Sequence, residues 1–128
     1  MKLLLDTHLL LWAAEGFDRL PPDARPLLAD PANRLLFSTA SIWEVVIKRG
    51  LGREDFLVDP AALHRGLLNG GYIELPVSSA HALAVGALPP LHKDPFDRLL
   101  IAQAIVEKAT LLTADTRLCD YSAAVRRV

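Results

Sequence analysis

The stretch Lys2-Leu3-Leu4-Leu5-Asp6-Thr7 decides the fold: a short apolar run passes directly into two residues of the kind that start helices. Residues 2–5 are expected to form a short buried strand, and residues 8–15 the helix that follows it. The same alternation continues along the chain. Leu35-Leu36-Phe37 reads as a second strand, residues 72–75 as a third, 110–113 as a fourth and 125–128 as a last one. Between them lie helical segments. One opens at Pro21-Pro22-Asp23 and ends at Asp30-Pro31. A second covers residues 41–49 and stops at Gly50 and Gly52. A third runs from Asp59-Pro60 to Asn69-Gly70-Gly71. Residues 78–85 form a fourth, Pro89-Pro90 breaks the chain, and Asp94-Pro95 opens a long helix to about Lys108. Apolar strands alternating with helices define an α/β protein. The expected architecture is a three-layer α/β/α sandwich with a central parallel sheet of four to five strands. In such sheets the site lies beyond the carboxyl ends of the strands, near the switch in strand order.

With 128 residues, the chain fits one domain spanning 1–128, without internal repeat or linker. A hydrophobic share of 52% and a charged share of 23% place it among globular proteins. Cys119 is the only cysteine, so no intrachain disulfide and no Cys-rich zinc site is expected, and a reducing, cytoplasmic setting is the natural reading. Asp6 interrupts the N-terminal apolar run, which reads as neither a signal peptide nor a membrane span. The net charge of -1 argues against binding nucleic acid through a broad basic field, so any RNA contact is expected to be local. Lys48, Arg49 and Arg53 form a modest basic cluster, and Lys93 and Arg98 flank a later acidic motif. Such clusters are ordinarily solvated faces.

Four acids carry the chemistry, although each has a plain structural explanation. Asp6 can cap the first helix, and Ser41 with Glu44 has the S-x-x-E spacing of a capping box. Asp94 and Asp97 bracket a helix start with Pro95 at its first position, and Asp115 can stabilise a turn. What raises Asp6, Asp97 and Asp115 above caps is their placement together, because strand ends and helix starts converge in a parallel sheet. Carboxylates gathered in one cleft repel each other, and a divalent cation relieves the repulsion. All-oxygen ligation suits Mg²⁺ or Mn²⁺, which share phosphate oxygens of a substrate and activate water against a phosphodiester. Spacing alone carries the reading as far as an acidic metal site.

Four ordered motifs carry it further: LLLDTHLLLW at residues 3–12, STASIWEVVIK at 38–48, HKDPFDRLLIAQA at 92–104 and LLTAD at 111–115. In these the chain resembles the PIN-domain ribonucleases, in particular VapC-type toxins of toxin-antitoxin pairs. The resemblance implies that Asp6 and Asp97 are the principal ligands of Mg²⁺ or Mn²⁺, and that Glu44 and Asp115 complete an acidic quartet that cleaves RNA, with tRNA or rRNA loops as candidate targets. Asp94 is read as the helix cap, and Thr7 and Thr113 as hydroxyls that hydrogen-bond within the site. The resemblance also implies a VapB-type antitoxin encoded beside the toxin, which blocks the site and represses their shared promoter, and a homodimer. The chain departs from the family pattern in the charged segment at 52–56 and in a C-terminal Val125-Arg126-Arg127-Val128 without the usual aromatic.

The remaining chemical side chains suggest other functions less well. His8, His64, His81 and His92 include no pair with the spacing of a zinc helix, so surface or structural roles are expected. His92 alone is near enough to the DPFDR segment to touch RNA. Trp12 and Trp43 lie in apolar helical runs and read as core or dimer contacts. A receiver-like signalling domain needs paired acids after the first strand and a lysine after a late one, and neither is present. A D-x-D phosphatase fails because His8 stands two residues after Asp6. A catalytically inactive PIN-fold binding module is the remaining alternative, and an intact quartet argues against it.

Overall fold

The structure, a computed structural model, describes residues 1–91 and 94–128. Its elements follow the expected alternation: β1 (Lys2–Leu5), α1 (Thr7–Glu15), α2 (Ala24–Ala29), β2 (Arg34–Ser38), α3 (Thr39–Gly50), α4 (Pro60–Asn69) and β3 (Ile73–Leu75). There follow α5 (Ser79–Val85), α6 (Pro95–Glu107), β4 (Thr110–Thr113), a 3₁₀ turn (Thr116–Asp120) and β5 (Val125–Arg127). All neighbouring strands are parallel, in the order β3-β2-β1-β4-β5. The α/β fold with a parallel sheet and flanking helices is therefore as expected.

The period of two along each strand divides the core into two layers. Leu3, Leu5, Phe37 and Leu112 face one side, where Leu9 and Leu10 of α1, Val45 of α3 and Leu63 and Leu67 of α4 cover them. Leu4, Leu36 and Leu111 face the other side, against Leu100, Ile101 and Ala104 of α6 and Leu118 of the 3₁₀ turn. β1 and β4 are buried on both faces, which explains why Leu3-Leu4-Leu5 and Leu111-Leu112 are unbroken apolar runs. β5 forms despite the missing aromatic, because Val125 pairs beside Leu111 and packs into the second layer.

Local chemistry moves two of the expected helix starts. The prolines at 21 and 22 precede α2, which begins at Ala24. α3 begins two residues earlier than expected, at Thr39, with Ser38 as its cap accepting the Ala40 N–H at 3.0 Å. The capping box expected of Ser41 and Glu44 is thus not formed. Ser38 leaves the strand at the point where the cap is needed, while Ser41 and Glu44 lie one turn apart on the buried face of α3 and turn toward α1.

After β3 at one edge, the chain returns to the far side of β1 and lays down β4, so strand order switches between β1 and β4. Asp6 follows the first of these strands and Asp115 the second. The crevice beyond their carboxyl ends is where a parallel sheet presents its ligands.

Candidate active site

A cavity of about 140 Å³ opens at that switch point, lined by Asp6, Glu44, Asp97 and Asp115 together with Asp94, Thr7, His8, Lys48, Arg117 and Leu118. The four acids of the expected quartet come from four separate places in the chain and meet in this one space. A larger apolar cavity of about 430 Å³ lies elsewhere, between α1 and α4, and contains none of them.

Asp6 is buried at the junction of β1 and α1. Its Oδ1 accepts the Leu9 N–H at 2.9 Å, so it is the cap of α1, and its Oδ2 accepts the Thr113 hydroxyl at 2.5 Å. Burial raises its pKa above the ordinary value. The hydrogen bonds from Thr113 and Leu9 and the nearby His8 oppose the rise, while the Glu44 charge adds to it. A carboxylate here is held in one orientation and is short of positive charge.

Glu44 is buried as well, with both oxygens engaged. Oε1 accepts the Thr7 hydroxyl at 2.7 Å, and Oε2 stands 2.9 Å from Lys48 Nζ one helical turn away. The Thr7 and Ser41 hydroxyls are 3.0 Å apart, tying α1 to α3 behind the cavity. Asp94 caps α6 through the N–H groups of Phe96 and Asp97, as expected of a residue before Pro95, and so leaves Asp97 in the first turn of the helix. Asp115 caps the 3₁₀ turn through the Arg117 N–H. Its carboxylate is also gripped by the Arg117 guanidinium, with Nε 3.1 Å from Oδ1 and Nη2 2.8 Å from Oδ2. Asp115, and more distantly Asp97 and Asp94, hold that guanidinium firmly charged.

The donor set fits a hard divalent cation: it is all carboxylate and hydroxyl oxygen, around one buried acid whose ionisation is penalised. Among the described residues no three His, Cys, Asp or Glu side chains are drawn close enough to hold an ion between them. Lys48 and Arg117 draw two of the acids toward themselves. That is compatible with Mg²⁺, which takes one or two carboxylates and completes its shell with water and substrate phosphate.

Other expected residues separate cleanly. His81 is structural: buried, it completes a capping box with Ser78 at the start of α5, and its Nε2 lies 3.1 Å from Glu107. His64 pairs with Glu74. His92 and Lys93 lie outside the described residues. Arg98 donates to the carbonyls of Pro89 and Val85, so it fastens the loop after α5 to α6. Trp12 packs on the core, whereas Trp43 is 61% exposed and meets Phe96 edge-on, so of its two expected roles, core or dimer contact, the core one does not hold. Sequence reasoning missed His8 and Arg117 as lining residues and took Lys48 for part of a solvated face. The signals available were a lysine four residues after Glu44 on a helix and an arginine two after Asp115.

Residues 3–124 match the family model of the PIN domain, and the chain belongs to that family. Its fold is similar to that of solved toxin-antitoxin structures. A chain of VapBC2 from Rickettsia felis, solved with a DNA fragment from its promoter, is 18% identical at a TM-score of 0.71, covering 100% of this chain and 99% of that one. A chain of DNA-bound VapBC from Salmonella typhimurium is 15% identical at a TM-score of 0.70, with 100% and 97% covered. A chain of a toxin-antitoxin complex from Klebsiella pneumoniae is 21% identical at a TM-score of 0.62, with 96% and 94% covered. No curated protein gives a significant match.

Proposed function

We propose that this PIN domain is a VapC-type toxin, a metal-dependent endoribonuclease that hydrolyses RNA phosphodiester bonds. The observation that carries this reading is the meeting of Asp6, Glu44, Asp97 and Asp115 in one cavity at the strand-order switch, around a buried carboxylate whose charge is unfavourable without a cation.

Asp6 and Asp97 are the residues that would hold Mg²⁺ or Mn²⁺. When bound, such an ion supplies acidified water and neutralises charge developing on the scissile phosphate. Asp6 is aimed by Thr113 and by the first turn of α1, and Asp97 is presented by the first turn of α6. Glu44 and Asp115 complete the acidic field on either side. An antitoxin of the VapB type is the proposed partner, supported by the likeness to chains solved as VapBC complexes. Self-association as a homodimer is supported by Trp43, Val46 and Ile47, which stand exposed on one face of α3.

Incubation of the purified protein with structured and single-stranded RNAs in Mg²⁺ or Mn²⁺, with an EDTA control and mapping of the new ends, tests this. Discrete cuts that vanish in EDTA are expected. Intact RNA in every metal condition, or cutting indifferent to EDTA, contradicts the reading.

A further inference from the structure

We propose that Lys48 and Arg117 are the RNA-backbone contacts of this cleft, each held in place at rest by an acid of the quartet and each exchanging that acid for a substrate phosphate. The proposal rests on the ribonuclease reading and adds to it the groups that let an acidic cavity accept a polyanion.

The cavity is lined by five carboxylates, counting Asp94. Left alone, that field repels RNA, and a chain of net charge -1 adds no overall attraction to offset it. Cations at the cavity itself are placed to compensate it. Among the described residues, Lys48 and Arg117 are the two lysine or arginine side chains that line it, one from α3 and the other from the turn after β4. Arg98 of α6 is engaged elsewhere, by the carbonyls of Pro89 and Val85.

The two pairs are suited to exchange. Arg117 is 69% exposed and presents Nε and Nη2 side by side to both oxygens of Asp115. That planar fork matches two phosphate oxygens as well as it matches a carboxylate. Lys48 offers a compact charge on a flexible stem, 29% exposed, 2.9 Å from Glu44. The Arg117 pair is open to water and holds its partner weakly, whereas Lys48 reaches the cavity from a largely buried partner. Glu44, with one oxygen on Thr7 and the other on Lys48, acts in this scheme as a positioning residue that fixes the lysine over the cavity.

The test compares wild type with Lys48→Gln, Lys48→Arg, Arg117→Gln and Arg117→Lys. A labelled single-stranded RNA oligonucleotide serves for steady-state cleavage in Mn²⁺, and for binding by fluorescence anisotropy across a salt series. Each Gln variant is expected to weaken KM and Kd about tenfold with little change in kcat. The slope of log K against log salt should fall by roughly 0.7 per charge removed. Lys48→Arg and Arg117→Lys should restore the slope. Unchanged KM, Kd and slope in the Gln variants of a cleaving wild type overturn this proposal while the ribonuclease reading stands. So does a loss of kcat at constant KM with a raised Mn²⁺ requirement, which would make the pairs part of the metal site. A wild type that binds without cutting contradicts the ribonuclease reading, and its salt slopes still decide the role of the two cations. A wild type that neither binds nor cuts overturns both. Should Lys48→Gln fail to fold, the exposed Arg117 pair carries the same test.

Discussion

The Thr113 hydroxyl joins two acids on opposite sides of the strand-order switch: it donates to Asp6 Oδ2 at 2.5 Å and accepts the Asp115 N–H at 3.0 Å. One fully buried side chain at the end of β4 thus sets both the orientation of the first acid and the start of the turn that carries the last. Thr113→Val keeps the shape and removes both bonds. It should destabilise the metal-free protein by about 1–3 kcal/mol at neutral pH, because the buried Asp6 carboxylate loses a donor. It should also push the Asp6 pKa further up, since the lost bond is one that lowers it. Thr113→Ser should stay near wild type. Denaturant midpoints in EDTA check this, and equal stability of the Val and Ser variants would contradict it.

Burial raises the Asp6 pKa above its ordinary value of 3.8, so the folded chain favours the protonated acid. By linkage, the native state keeps this advantage at and below that value and loses it as pH rises through the higher folded pKa. Asp6→Asn cannot ionise, and its side-chain oxygen can still cap α1. In EDTA the stability of Asp6→Asn relative to wild type should therefore increase from about pH 4 upward and then level off once the wild-type acid is fully ionised. Added Mg²⁺ or Mn²⁺ should raise the melting temperature of wild type and not of the variant. A stability difference independent of pH would contradict the assignment of an unfavourable charge to Asp6.

Much of this was legible in the sequence because the determining signals were local. Leu3-Leu4-Leu5 followed by Asp6-Thr7 gives strand, cap and helix from adjacent residues, and Asp94-Pro95 does the same for α6. The convergence of the acids followed from the rule that parallel strands point their carboxyl ends to one edge. What was hidden depended on which of two equivalent groups the tertiary structure chose. Ser38 and Ser41 are both competent caps, and only the burial of Ser41 against Thr7 selects Ser38. Trp43 sits in an apolar run, yet α3 turns that position outward. The pairing of Arg117 with Asp115 needs a 3₁₀ turn that the pattern of residues 114–120 does not announce.

Lys108 ends α6 in the left-handed region, with φ 55 and ψ 40, and is the only described non-glycine residue with positive φ. A Cβ at such a position is strained, and glycine is the residue that commonly occupies it. Lys108 is exposed, so its side chain contributes little to packing. Lys108→Gly should stabilise the protein by roughly 0.5–1 kcal/mol, seen as a melting temperature about 2–5 °C higher. Lys108→Ala should show no such gain. A lower melting temperature for the glycine variant would contradict the strain account.

Under the proposed function, carboxylate charge at Asp6 and Asp97 binds the ion that drives RNA hydrolysis. Single-turnover cleavage of an RNA oligonucleotide by wild type, Asp6→Asn and Asp97→Asn, each with Mn²⁺ and with EDTA, tests it most directly. Both variants should remain folded and lose cleavage by on the order of a hundredfold or more. Metal-dependent cleavage retained at the wild-type rate in both would contradict it.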